Sequence, residues 1–192
     1  MKKFFIRLLT FYLPIPKWQK KALRYRLNSW LVQLGIGRGV KVGRYVRFYS
    51  PSHFTPGSEI GDWCEINGMR VAGIGKVKIG RHCAISWDVL AHTSNHDYRG
   101  EEIPFDDNTI VKDVEIGDFV WIGARVTLLP GTKIGEGAII QGGSVVHGEI
   151  PPMAIAGGNP AKVFAMRDAE KFARLKAEGR FFRHTKGWAW GN

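Results

Sequence analysis

Cysteine is scarce in this chain: Cys64 and Cys83 are the two it has. Two thiols cannot build a disulfide framework or a four-cysteine zinc site, and they suit a reducing compartment. Long apolar runs are also missing, since no stretch reaches the roughly 18 residues of a spanning helix. The apolar run Phe4–Leu13 is short, is broken by Arg7 and is followed by no small-residue cleavage site, so it is not read as a secretory signal. Acidic residues are absent from residues 1–44, which carry eleven of the 28 Lys and Arg and leave the remainder balanced at 17 bases against 17 acids. The net charge of +11 therefore belongs to an N-terminal arm and not to the body of the protein. No zinc-finger, helix-turn-helix or RNP-like pattern accompanies it, so a nucleic-acid partner is not expected. With 44% hydrophobic and 23% charged residues in 192, the chain suits one packed domain with terminal appendages.

What is present is a repeat. Aliphatic residues fall every six positions at Ile110, Ile116, Ile122, Leu128, Ile134, Ile140 and Val146. The position four further on is also restrained: Val114, Val120, Val126, Thr132, Ala138, Ser144 and Ile150. The frame extends upstream through Val42, Phe48, Phe54, Ile60 and Ile66, and resumes one residue out of step at Ile79, Ile85 and Ala91. A period of six matches neither a helix nor a plain alternating strand. It matches a short strand followed by a sharp turn, with the leading aliphatic pointing into a narrow core and a small residue near the corner. Three such units close a triangular coil, and stacked coils hydrogen-bond at roughly 4.8 Å. The expected fold is all-β, a parallel β-helix.

The hexads, Asn95-His96-Asp97, Val120-Trp121-Ile122-Gly123 and the segment Ile150-Pro151-Pro152 through Ala156-Gly157-Gly158-Asn159-Pro160-Ala161-Lys162-Val163 together resemble the hexapeptide-repeat acyltransferases, in particular sugar O-acetyltransferases. The resemblance covers about residues 42–166. It implies a left-handed β-helix, acetyl-CoA or a related acyl-CoA as donor substrate, no metal, and a homotrimer with active sites between subunits. The implied organisation is a basic arm over 1–41, the β-helix over 42–166 and a C-terminal helix and aromatic tail over 167–192.

The repeat fails between Ala91 and Ile110, and residues 97–109 are expected to form a loop thrown out from a corner. His96 stands where the chain leaves the coil. An imidazole suits removal of a proton from an attacking hydroxyl or amine, and the family's catalytic histidine sits at this position. The alternative is a surface histidine in a polar loop. His92 lies four residues earlier, a spacing that gathers two histidines on a helix but not along a strand. Ligands converging across a trimer interface leave open a zinc-dependent, carbonic-anhydrase-like hydratase on the same fold, although His53, His82, His147 and His184 form no obvious third ligand. Cys64 and Cys83 sit at small fourth-on positions and read as buried filler.

For the donor, Trp121 is outward-facing and pairs with either the next subunit or the pantetheine arm. Gly123, Ala124, Gly142 and Gly143 leave backbone amides approachable. The resemblance places the main chain of Ala124 and Gly142 along the donor and Lys162 at its nucleotide end. A second basic position of some relatives is Gly148 here, and Arg167 is a candidate to compensate. Pro160 is read as setting the exit of the chain from the helix. On the acceptor side, Asn67 is either a substrate contact or an Asn-Gly corner, and Asp97 either orients His96, binds a sugar hydroxyl or is a solvated charge.

At the N-terminus, Leu23, Leu27, Trp30, Leu31 and Leu34 recur at helical spacing among Lys20, Lys21, Arg24 and Arg26. Such an arm either lies on an anionic membrane through residues 1–34 or caps the open end of the solenoid. Asp168–Glu178 reads as a short charged helix on the last coil, and Phe181, Phe182, Trp188 and Trp190 as a docking tail. The expected function is an acetyl-CoA-dependent O-acetyltransferase acting in the cytoplasm or at the inner membrane face. Its acceptor is a sugar of a surface polysaccharide or lipid-linked glycan, with an antibiotic as the alternative.

Overall fold

The structure is a computed structural model that describes residues 39–182 and residue 23. The expectations for Phe4–Leu13, the amphipathic arm, membrane contact through 1–34, His184, Trp188 and Trp190 lie outside the described residues. No helix among the described residues is long and apolar enough to cross a membrane.

The six-residue period becomes three faces of a left-handed parallel β-helix. The first face stacks β1 (Lys41–Val42), β3 (Glu59–Ile60), β6 (Val77–Ile79), β11 (Val114–Ile116), β14 (Lys133–Ile134) and β17 (Glu149–Ile150). The second stacks β2 (Arg47–Ser50), β4 (Glu65–Asn67), β7 (Ala84–Ile85), β12 (Trp121–Ile122), β15 (Ile139–Ile140) and β18 (Ala154–Gly158). Its end is covered by β19 (Ala161–Met166), which pairs antiparallel with β18. The third holds β5 (Met69–Ala72), β8 (Val89–His92), β13 (Thr127–Leu128) and β16 (Val145–Val146).

The parallel registers put identical positions above one another, so each period residue meets its counterpart in the next coil. Ile66, Ile85, Ile122 and Ile140 form one such column, and Val71, Ala91, Leu128 and Val146 another. All of these are buried. Truncating one large member to Ala is expected to cost about 2–5 kcal/mol. The restrained fourth-on positions are buried as well, including Val120, Thr132, Ala138 and Ser144. Cys64 and Cys83 belong to that class and lie buried in neighbouring coils, as filler should.

Two positions depart from the expected frame. Ile110 is not a coil residue. It lies in β10 (Thr109–Val111), which pairs antiparallel with β9 (Ser94–His96), opposite Asn95. Ile150 is not a fourth-on residue: it stands beside Ile134 and leads the last coil, because the turn after Val146 is shorter than a full hexad.

The corner between the first and second faces carries non-glycine residues in the left-handed region: Tyr45 (φ 61°), Trp63 (64°), His82 (56°), Phe119 (58°) and Met153 (64°). That backbone costs roughly 1–2 kcal/mol per residue, and ring stacking offsets it. Tyr45 stacks on Trp63 at 4.2 Å and His82 on Phe119 at 5.0 Å. Gly137 (φ 71°) interrupts the column. A Cβ there would fall 2.6 Å from Met153 Sδ and 3.1 Å from the Phe172 ring, so the missing side chain leaves room for Met153 and for a docked helix.

That helix, α1 (Ala169–Ala177), is capped by Asp168, whose carboxylate accepts the Lys171 amide at 2.8 Å. The helix is tied to the last coil through Arg167, whose amide donates to the Met153 carbonyl at 2.8 Å. It reaches back along the corner: Phe172 sets its edge against Phe119 at 5.8 Å, Arg167 donates to the Gly137 carbonyl at 2.9 Å, and Lys176 pairs with Glu136. Phe181 continues this path and tilts over His82 and Phe119.

Candidate active site

The chain leaves the stack two residues before His96. The Thr93 carbonyl accepts the Lys112 amide at 3.0 Å, closing the neck of a hairpin that spans 94–111. The protrusion therefore begins earlier than the expected loop 97–109, and its first turn is ordered strand. His96 faces Thr109 in this hairpin and is exposed. Its backbone amide donates to Asn95 Oδ1 at 3.1 Å, and its ring stacks on Phe105 with centroids 3.8 Å apart and 14° between planes.

Asp97 does not orient the imidazole. Arg99 takes both its carboxylate oxygens, Nε to Oδ1 and Nη2 to Oδ2, each at 2.8 Å. This charged fork holds the Asp97 carboxyl below its ordinary pKa. A second carboxylate, Asp106, binds the other half of the loop by accepting the Asn108 amide and Nδ2, each at 2.9 Å, and the Glu101 amide at 3.4 Å. Hydrogen bonds from Asn108 hold that carboxyl down as well.

The residues expected to line the donor lie elsewhere, along the second face and its corner with the third. Trp121 projects from β12 between Ala84 and Ile139 and is 55% exposed. Ala124 and Gly142 stack at the corner, where the Gly143 amide donates to the Ala124 carbonyl at 2.8 Å. A Cβ on Gly123 would fall 2.7 Å from Gly142 Cα, so these coils approach here because no side chain intervenes. The amides of Ala124 and Gly142 have no acceptor among the described residues. Lys162, in β19 opposite Gly157, ends this ridge and is exposed. Arg167 is committed to docking α1, and burial pushes its pKa down. Gly148 lies at a different corner, with open space where a Cβ would be.

Asn67 begins the same ridge two coils earlier, and its Oδ1 accepts the Ser50 hydroxyl at 2.9 Å. Between Asn67 and Ala124 stands a residue pair the hexad reading did not single out. The Arg125 guanidinium lies 4.5 Å over the Trp87 ring, and its amide donates to the Trp87 carbonyl at 3.0 Å.

His96 and the ridge are thus separated within one chain. Strand β8 starts just after the corner at Trp87 and ends just before the hairpin at Ser94. The two groups occupy opposite edges of the third face. His92, on β8, is half-buried beside Ala72 in register. Among the described residues, no three or more His, Cys, Asp or Glu side chains gather in a way that could hold a metal.

The family profile of bacterial transferase hexapeptide (six repeats) matches residues 113–148. An Escherichia coli protein named as a lipopolysaccharide biosynthesis O-acetyl transferase is 37% identical over 103 residues, 50% of this chain and 53% of its own length. A Lysinibacillus sphaericus protein named as a macrolide acetyltransferase is 34% identical over 137 residues, 60% of this chain and 70% of its own. The chain spans about half the length of the first curated relatives it matches. Among solved structures, a hexapeptide-repeat-containing acetyltransferase from Vibrio cholerae, complexed with acetyl coenzyme A, is similar with a TM-score of 0.62 and 26% identity. That likeness covers 87% of this chain and 86% of that one.

Proposed function

The chain belongs to the bacterial hexapeptide-repeat transferases, and from that premise we propose that it is an acetyl-CoA-dependent O-acetyltransferase of a sugar hydroxyl, with His96 as general base. The observation that carries this reading is the position of His96. It is the histidine of an exposed hairpin at the single long excursion from the described coils, and the loop that follows is braced by two carboxylates.

In the proposed reaction, an imidazole nitrogen of His96 takes the proton of the acceptor hydroxyl as that oxygen attacks the thioester carbonyl. A carbon–oxygen bond forms, and a backbone amide at the subunit interface receives the developing oxyanion. The carbon–sulfur bond then breaks, and the imidazolium returns its proton to the departing coenzyme A sulfur. The ridge of Trp121, Gly123, Ala124, Gly142 and Gly143 takes the pantetheine arm, and Lys162 takes the anionic nucleotide end. The unused amides of Ala124 and Gly142 support this assignment. Asn67 faces the acceptor, and Asp97 lies beside it while held by Arg99.

Because His96 and the ridge stand at opposite edges of one face, a complete site needs His96 of one copy and the ridge of another. This supports the homotrimer implied by the repeat family. The lipopolysaccharide-related name of the Escherichia coli relative supports a glycan acceptor made at the inner face of the membrane, with residues 1–34 as the membrane contact. The Lysinibacillus relative supports a macrolide as the second acceptor class.

The test is His96→Ala, followed by thiol release from acetyl-CoA with a panel of sugar acceptors. Turnover should fall about 10²–10⁴-fold while calorimetric acetyl-CoA binding persists. Near-normal turnover by a correctly assembled variant would end the assignment.

A further inference from the structure

Resting on the reading of His96 as the base, we infer that Phe105 is the residue that positions it, and that the braced loop exists to return this ring to the imidazole. The two rings lie face to face, 3.8 Å apart and 14° from parallel. Phe105 is nonetheless 41% exposed and belongs to no core cluster. On a loop that also exposes Tyr98 and Ile103, Phe105 makes one ring contact among the described residues, and its partner is the histidine.

The surrounding loop explains how the ring is held. The hairpin register fixes His96 opposite Thr109. The Asp97 amide donates to the Asn108 carbonyl at 3.0 Å and closes the next rung. Asp97 with Arg99 secures one limb, and Asp106 with Asn108 secures the other. Phe105 adjoins Asp106, so the second brace sets its backbone directly. Neither carboxylate is given to the imidazole. Orientation of the base, which many enzymes take from a hydrogen-bonded carboxylate, is here supplied by a ring.

The geometry suits the chemistry. Protons enter and leave an imidazole in the ring plane, through its nitrogens, so a ring stacked on one face leaves the reacting edge open. On an exposed strand the unsupported side chain would sample several rotamers, and misplacement of a catalytic group by about 1 Å can cost as much as 10²-fold in rate. The imidazolium formed during transfer also lies over an aromatic face, an arrangement that favours a cation.

The experiment compares wild type, Phe105→Ala, Phe105→Tyr and His96→Gln, each confirmed to have the wild-type oligomeric state. The kinetic probe is acetyl-CoA, with water as acceptor and free thiol as readout. The spectroscopic probe is the Cε1 proton of ¹³C-labelled histidine, with His96 identified by its disappearance in His96→Gln. Phe105→Ala should lower kcat about tenfold with KM for acetyl-CoA unchanged, and should abolish an upfield ring-current shift on His96. Phe105→Tyr should restore both. If His96→Gln retains turnover, the base assignment fails and takes this inference with it. If His96→Gln is inactive while Phe105→Ala keeps wild-type kcat, or if wild-type His96 shows no ring-current shift, only the role of Phe105 is overturned.

Discussion

The Thr93 carbonyl accepts the Lys112 amide at 3.0 Å, so the chain rejoins the stack at the residue where it left. The next coil then pairs in register with the one before the excursion, Val114 with Val77 and Ile116 with Ile79. The hairpin is consequently separable from the fold. Replacing residues 95–110 by a short Gly-Ser turn should leave the far-UV spectrum of a β-solenoid and shift Tm by only a few degrees, while acyl transfer disappears. Unfolding of that variant would show that the excursion is part of the scaffold.

Gly123 and Gly143 look alike in sequence and differ in what surrounds them. Gly123 has no positive φ, but a Cβ on it would meet the backbone of Gly142. Gly143 has φ +76° and open space around the missing Cβ. Gly123→Ala should therefore destabilise by about 1–3 kcal/mol through overpacking. Gly143→Ala should cost roughly 1–2 kcal/mol through backbone strain alone and leave the coil spacing intact. Urea denaturation combined with acetyl-CoA calorimetry checks this: donor affinity should fall more for Gly123→Ala.

Cys83 donates to the Gly117 carbonyl at 3.1 Å and is buried. Its contact with Cys64 and its burial push the thiol pKa strongly upward. Neither cysteine should react with DTNB in the native protein at pH 8, and both should react after denaturation. Rapid native labelling would contradict the packing of these coils. Native silence also means that a thiol-release assay reads coenzyme A alone.

Asp62 accepts the Arg44 amide at 2.7 Å and its guanidinium at 3.1 Å, and these bonds hold its carboxyl below the ordinary range. A carboxylate depressed in the folded state adds stability above its unfolded pKa, near 4, and loses it as pH falls through the folded value. The difference in urea midpoint between wild type and Asp62→Asn should be constant from pH 7 to 5 and close towards pH 2. A difference that persisted at low pH would mean that the ion pair is not its source.

The coil period was legible because every coil repeats the same burial problem: Ile66, Ile85, Ile122 and Ile140 share one environment and one residue type. The same regularity misled at its edges. Ile110 and Ile150 kept the phase by residue type although one lies on the hairpin and the other leads a coil after a shortened turn. The stacked corner was missed, yet it left a signal: Tyr45, Trp63, His82 and Phe119 each stand three residues before the aliphatic or aromatic lead of a second-face strand, at Phe48, Ile66, Ile85 and Ile122. At the candidate site, the hairpin that carries His96 could be found from the break in the repeat. Phe105 and Arg99 could not, because a loop without a period gives no register from which to infer a contact.

Subunit mixing tests the central claim most directly, that His96 of one copy acts on a donor held by the ridge of another. His96→Ala and Ala124→Trp should each be inactive when assembled alone. Unfolding and reassembling the two in equal amounts should restore about a quarter of wild-type thiol release, since random assembly around a symmetric ring joins an intact His96 to an intact ridge at about one interface in four. No recovery from a correctly reassembled mixture would contradict the shared site, and activity in His96→Ala alone would contradict the base.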